Sequence, residues 1–167
     1  MQVRPSNEAD VEAVWQIIEQ ARTRMAEQGI DQWQDGEPNR QDVQAAVTGG
    51  AGHVLEDGGN IAGFAVISFA TEACYEALSS GSWTTTGPYA SLHRVALADG
   101  YTGRGLAGRL FGEAVRLARL QGAASVRLDT HADNAPMRHA AQKHGFLCRG
   151  SCLLPGNRPR LVYEKIT

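Results

Sequence analysis

The stretch "GYTGRGLAGRLF", Gly100 to Phe111, decides the fold. Glycines at 103, 105 and 108 precede a helical repeat in which Leu106, Leu110, Ala114, Leu117 and Ala118 share one face, ending near Gly122. A glycine turn that opens a helix is a phosphate site. Glycine lets the backbone approach, successive N–H groups point inward, and the helix N-terminus adds a favourable dipole.

Working outward, "YASLHRVAL" is a strand entering the turn and "SVRLDT" a strand leaving the helix. "APMRHAAQKH" is a helix closed by Gly145, and "FLCRGS" and "RLVYEKI" are two final strands. Upstream, Gln2 to Arg4 form a short strand ended by Pro5, and Asn7 caps a helix with Asp10 as its capping-box partner. Val11, Val14, Ile18, Ala21 and Met25 repeat along that helix, which Gly29 ends. "DQWQDGEPNR" is a polar loop, and "QDVQAAV" a short helix stopped by Gly49-Gly50. "GHVLE" and "IAGFAVISFA" flank the hairpin turn "DGGN", after which "TEACYEALSSGSWTTTGP" is a long polar segment. Hairpins at both ends and one strand–helix–strand crossover predict a mixed α/β sheet covered by helices, as one domain over residues 1–167.

Composition narrows the partners. Hydrophobic residues make up 43% and charged residues 20%, ordinary for a globular chain, and the net charge of −2 argues against nucleic acid or anionic membrane. The longest apolar run is far too short to cross a bilayer, and "MQVRPSNEAD" lacks a signal-peptide core. Cys74, Cys148 and Cys152 form no disulfide framework, so a reducing cytoplasm and no metal are expected.

Two ligands suit the turn. Gly103-x-Gly105-x-x-Gly108 matches the dinucleotide fingerprint, with Asp129 roughly 20 residues on as a ribose acid. Against it, "ADGYT" intervenes between the strand and the first glycine, and the residues after Asp129 read as helix and hairpin rather than further βα units. An acyl-coenzyme A pyrophosphate fits better. "HRVAL…GYTGRGLAGRLF" resembles the strand, turn and helix of the GNAT acyltransferases, whose signature Arg/Gln-x-x-Gly-x-Gly/Ala falls on Thr102 to Ala107. "LDTHADNAPMRHAAQKHGF" is similar to the family's second motif, with Asn134, Gly145 and Phe146 at the expected offsets.

The resemblance implies a mixed, mostly antiparallel sheet of about seven strands with about four helices, binding acetyl-coenzyme A and no metal. It implies an N-acetyltransferase acting on a primary amine of a small molecule or peptide; dimers are common among relatives. Val95, Ala96 and Leu97 would present backbone to the pantetheine near a bulge, and Thr102, Gly103, Arg104, Gly105, Leu106, Ala107 and Gly108 would hold the pyrophosphate. Asn134 and Arg138 complete the cofactor set. Thr102 departs from the family's Arg/Gln, with Arg104 or Arg109 as replacements, and Ala141 stands where the usual tyrosine acid would be. Tyr163, Tyr101, His131 or water remain as proton donors. His93, read as sharing a strand face with Val95 and Leu97, and Asp129 are the candidate bases. Trp33, Tyr75, Trp83 and His131 are the candidate acceptor contacts. The rival is a degenerate acyl-coenzyme A sensor of the same fold.

Overall fold

The computed structural model describes residues 1–167, in the order β1 (Gln2–Pro5), α1 (Val11–Glu27), α2 (Arg40–Thr48), β2 (Gly52–Asp57), β3 (Asn60–Ser68), α3 (Ala73–Glu76), β4 (Ser80–Gly81), β5 (Tyr89–Leu97), α4 (Ala107–Leu120), β6 (Ser125–Thr130), α5 (Ala135–Lys143), β7 (Leu147–Leu154) and β8 (Arg158–Ile166). The strands form one eight-stranded sheet in the order β1-β2-β3-β5-β6-β8-β7-β4. Every pairing is antiparallel except β5 with β6. The additions to the sequence reading, β4 and the single turn α3, both fall inside the long polar segment, where no periodicity marks them.

Local chemistry explains the boundaries. Asn7 and Asp10 form the expected capping box, and Asn39 with Asp42 forms a second one ahead of α2. The β2–β3 hairpin turns through Gly58 and Gly59, both at positive φ. Leu110, Phe111, Ala114, Val115 and Ala118 of α4 bury against one sheet face, together with Ala141 and Phe146. Val14, Ile17 and Ile18 of α1 and Val43 and Val47 of α2 cover Val54 and Phe64 on the other. Tyr75, Tyr89, Cys152 and Val162 form a smaller cluster beneath α3. No helix is long and apolar enough to cross a membrane.

Two features of β5 position the site. Its parallel pairing with β6 covers only Tyr89↔Ser125, Ala90↔Val126 and Ser91↔Arg127, after which the strands part. On its other edge, Phe64 faces Ala96 but Val66 faces His93, so β5 carries one extra residue there. Arg94 absorbs it at φ 53°, a β-bulge. The bulge reverses the alternation. His93 therefore shares the α1/α2 face with Ala96, and Val95 and Leu97 pack toward α4, which corrects the assignment of His93 to the face of Val95 and Leu97.

The start of α1 is clamped by one ion-pair network. Arg4 donates to both Asp10 carboxylate oxygens, at 2.8 and 2.9 Å, and to Glu56 at 2.8 Å, joining β1, the capping box and β2. The Arg4 hydrogen bond, with help from the Asn7 amide, holds the buried Asp10 carboxyl below its ordinary range against the opposing effect of burial. Asp10→Ala removes a cap and strands Arg4, an expected loss of about 2 kcal/mol. In thermal melts at neutral pH this is a fall in Tm of roughly 4–8 °C. A depressed carboxylate contributes stability above its unfolded pKa and loses it as pH falls through the folded value, so the gap between the two proteins closes in acid.

Candidate active site

The parting of β5 from β6 opens a cavity of about 1080 Å³ that runs from the glycine turn to the loop between α1 and α2. Leu92, His93, Val95, Ala96 and Leu97 line one side of the split and Leu128, Asp129 and Thr130 the other. At one end lie Thr102, Gly103, Gly105, Leu106 and Ala107, and at the other Trp33, Glu72 and Cys74.

The turn is built to donate. Gly103 and Gly105 both sit at φ 71°, and nothing lies within 4 Å of a Cβ placed on either, so conformation rather than space requires glycine there. The amides of Gly103, Arg104, Gly105, Leu106 and Ala107 find no acceptor in the protein; internal bonding resumes with Gly108 N–H to Gly105 O at 3.2 Å. This is an anion nest running into a helix N-terminus. Gly108 has a different reason to be glycine. A Cβ there would collide with the His144 ring, so this glycine seats the end of α5 against α4 rather than opening toward a ligand. The Arg104 side chain turns back over the Tyr101 ring, 5.4 Å from its centroid, and contributes only its amide.

Asn134 is buried at the cavity edge, and both halves of its amide are engaged. Its oxygen accepts from Met137 N–H at 3.1 Å to cap α5, and its nitrogen donates to Gln32 Oε1 at 2.9 Å. The same Gln32 oxygen accepts from Thr130 Oγ1 at 3.1 Å and from His131 N–H at 3.3 Å, so this loop residue pins three segments. Arg138 donates to Ala132 O at 2.8 Å and Tyr163 Oη at 3.3 Å, bracing the loop before α5 outside the cavity.

His93 lies between two carboxylates. Its Nε2 is 2.9 Å from Glu72 Oε1, and its Nδ1 is 3.6 Å from Asp129 Oδ1. Burial alone would push the imidazole down from 6.5, but the Glu72 hydrogen bond and the charges of Asp129 and Glu72 prevail and raise it. The His93 hydrogen bond, opposed by burial, holds Glu72 below its ordinary range. Each carboxylate is itself placed. Glu72 Oε1 also accepts from Ser91 Oγ at 3.1 Å, and Asp129 Oδ1 accepts from Tyr75 Oη at 2.7 Å. Burial, reinforced by Asp129, lifts the Tyr75 phenol well above its usual value, which keeps it a donor.

The sequence reading missed Glu72. It sits in the polar segment, and only the fold brings it to His93. Cys74 is a second omission: it lines the cavity, and the neighbouring Cys152 thiol lowers its pKa. Of the four residues proposed as acceptor contacts, Trp33 alone lines this cavity. Tyr75 is fully buried beneath Asp129, Trp83 donates to Tyr75 O at 2.7 Å and stacks over Arg127, and His131 turns toward Asp133 N–H. No tyrosine lines the cavity: Tyr163 is packed in the core, and Tyr101 points toward Asp57.

A splayed parallel pair, a bulge in the strand before a glycine nest and a helix behind it describe one known arrangement. The family model for the acetyltransferase (GNAT) family matches residues 12–146. The chain belongs to the GNAT family. Acetyl transfer is that family's chemistry. Among solved structures, a GNAT-family acetyltransferase from Streptococcus agalactiae is 31% identical, with 99% of this chain and 95% of that one covered at a TM-score of 0.89. The PaiA N-acetyltransferase of Thermoplasma acidophilum, crystallised with coenzyme A, is 17% identical at TM-score 0.72, covering 99% of this GNAT chain and 98% of its own. Arabidopsis thaliana NAA60, crystallised with acetyl-CoA, is 20% identical at TM-score 0.61, covering 99% and 98%. The last two share the fold. No curated protein sequence gives a significant match.

The geometry around His93 makes a direct prediction. In Glu72→Gln the main group lifting the imidazole is gone while its burial remains, so its titration midpoint falls. Following the His93 ring protons by NMR across pH 5–9 checks this; an unmoved midpoint would contradict the pairing.

Proposed function

We propose that this chain is an acetyl-coenzyme A-dependent N-acetyltransferase, acting as one domain on a primary amine of a small molecule or peptide. The observation that carries the reading is His93, held between Glu72 and Asp129 on the split edge of β5, in the same cavity as the glycine nest. The nest fits a diphosphate. Its free amides run from Gly103 to Ala107, and its glycines hold a backbone that other residues adopt only with strain. Lys143 adds positive charge to the cavity lining.

Bound acetyl-coenzyme A supplies an acyl group activated as a thioester. The protein's part is positioning and proton movement. The free edge of β5 from Leu92 to Leu97 offers backbone groups to an extended arm, as an added strand would. His93 accepts the proton of the attacking amine, and Glu72 orients the ring and steadies its charge. With no tyrosine in the cavity, the imidazolium of His93 is the group placed to return a proton to the departing thiolate. Asp129 and Glu72 make this end of the cavity attractive to a cationic amine before it is deprotonated.

The raised imidazole fixes the sign of the pH dependence. A base works only when neutral, so kcat/KM climbs with pH through a midpoint above 6.5, and Glu72→Gln moves that limb to lower pH. His93→Ala is expected to lower kcat by about 10²–10⁴-fold. Gly105→Ala forces a side chain into a left-handed position, which costs about 1–2 kcal/mol and should weaken coenzyme A binding roughly 5- to 30-fold. Calorimetry with coenzyme A and thiol-release kinetics over a panel of amines check all three.

The buried Ala141 in place of a tyrosine favours one other reading, a fold that holds acyl-coenzyme A without turnover. Tight coenzyme A binding with no thiol release from any amine would select it.

A further inference from the structure

The acceptor half of the cavity holds a cation that no carboxylate touches. Four arginines line the cavity: Arg24, Arg94, Arg158 and Arg160. Arg24 is paired with Asp99, Arg158 with Asp35 and Glu37, and Arg160 faces Asp129 at 4.0 Å. Arg94 alone makes no ion pair. Its one hydrogen bond runs from Nη1 to the carbonyl oxygen of Asp42 at 3.0 Å, and the carboxylates of Asp42 and Glu37 act on its charge only from a distance. Burial without an ionic partner lowers its pKa, the mark of a charge whose desolvation is not compensated.

Its backbone is unusual as well. At φ 53° Arg94 occupies the region that glycine and asparagine favour, and such strain persists where the surroundings enforce it. In a regular strand, successive side chains at 93 and 94 would point to opposite faces. With the bulge between them, His93 and Arg94 both line the same cavity, the ring toward Glu72 and Asp129 and the guanidinium toward the Asp42 carbonyl of α2. A guanidinium presents paired donors in a fixed fork that matches a carboxylate in two-point contact.

We propose that Arg94 binds a carboxylate on the acceptor, so that the amine acetylated at His93 belongs to a free amino acid rather than to a polyamine or an internal peptide residue. This rests on the acetyl-transfer reading above. The two ends of such a molecule find opposite charges: Glu72 and Asp129 flank the amine, and Arg94 waits for the acid. Carboxylate binding supplies the ion pair that Arg94 lacks and fixes the amine against the imidazole.

Matched acceptors test this: an amino acid, its carboxamide, its decarboxylated amine and its aminophosphonate analogue, compared by kcat/KM. The amino acid should exceed its carboxamide by roughly 10- to 100-fold, the range of a charge-assisted two-point contact. Arg94→Gln should collapse that ratio to near one, chiefly through KM, and Arg94→Lys should keep part of it. Arg94→Gly, whose residue suits the left-handed backbone, should fold and also lose the preference, which separates binding from folding. Calorimetry adds a readout independent of turnover: the wild-type protein with coenzyme A should bind the N-acetyl amino acid at least tenfold more tightly than its amide, and Arg94→Gln should not. Equal use of acid and amide by the wild type, a preference that survives Arg94→Gln, or a preference for the aminophosphonate would overturn this proposal and leave acetyl transfer standing. Coenzyme A binding without acetylation of any amine would overturn both.

Discussion

The structure depends on a parallel pairing that stops early. β5 and β6 share three register pairs and then separate, which leaves backbone groups without a strand partner across a widening gap. An unpaired edge inside a sheet is costly unless each strand is satisfied on its other side. Here it is. β6 pairs with β8 along its whole length, from Ser125 to Thr130, and β5 keeps β3 to its end at Leu97. The apolar layer under α4 spans both strands through Leu92 and Leu128, so the sheet stays one body on that face while it opens on the other.

The open face is correspondingly polar, and its charges are held by neighbours. Glu164 is fully buried yet accepts from Thr84 N–H at 2.7 Å and from Thr85 Oγ1 at 2.6 Å, and lies 3.3 Å from Arg149 Nε. Arg127 is sandwiched between the Trp83 and Tyr89 rings, 4.2 and 4.1 Å from their centroids. These groups make Trp83 to Thr85 a support for the sheet, while Glu72 and Cys74, earlier in the same segment, line the cavity. The supporting groups explain why Tyr75 and Trp83, conspicuous aromatics in a polar run, belong to the scaffold behind Asp129.

What the sequence made legible was local. Caps, hairpin turns, helical stripes and the glycine nest each follow from a few adjacent residues, and each appears where the pattern puts it. Two kinds of information were not local. The bulge at Arg94 has no marker in "SLHRVAL", since arginine is not a residue that advertises a left-handed backbone, so counting by twos sent His93 to the wrong face. Glu72 is 21 residues from His93 along the chain, in a stretch without periodicity, and only the antiparallel return of β3 to β5 makes them neighbours. Gly108 carries a different lesson. It completes a phosphate-binding fingerprint on paper, but helix packing alone accounts for it.

The Gln32 side chain has a wider reach than its size suggests. One carbonyl oxygen ties the α1–α2 loop to the tip of β6 and to the amide that caps α5. Displacing that loop would therefore disturb the first turn of α5. The loop and the N-terminus of α5 thus hang on one shared acceptor, and neither shifts without breaking those bonds or carrying the other along.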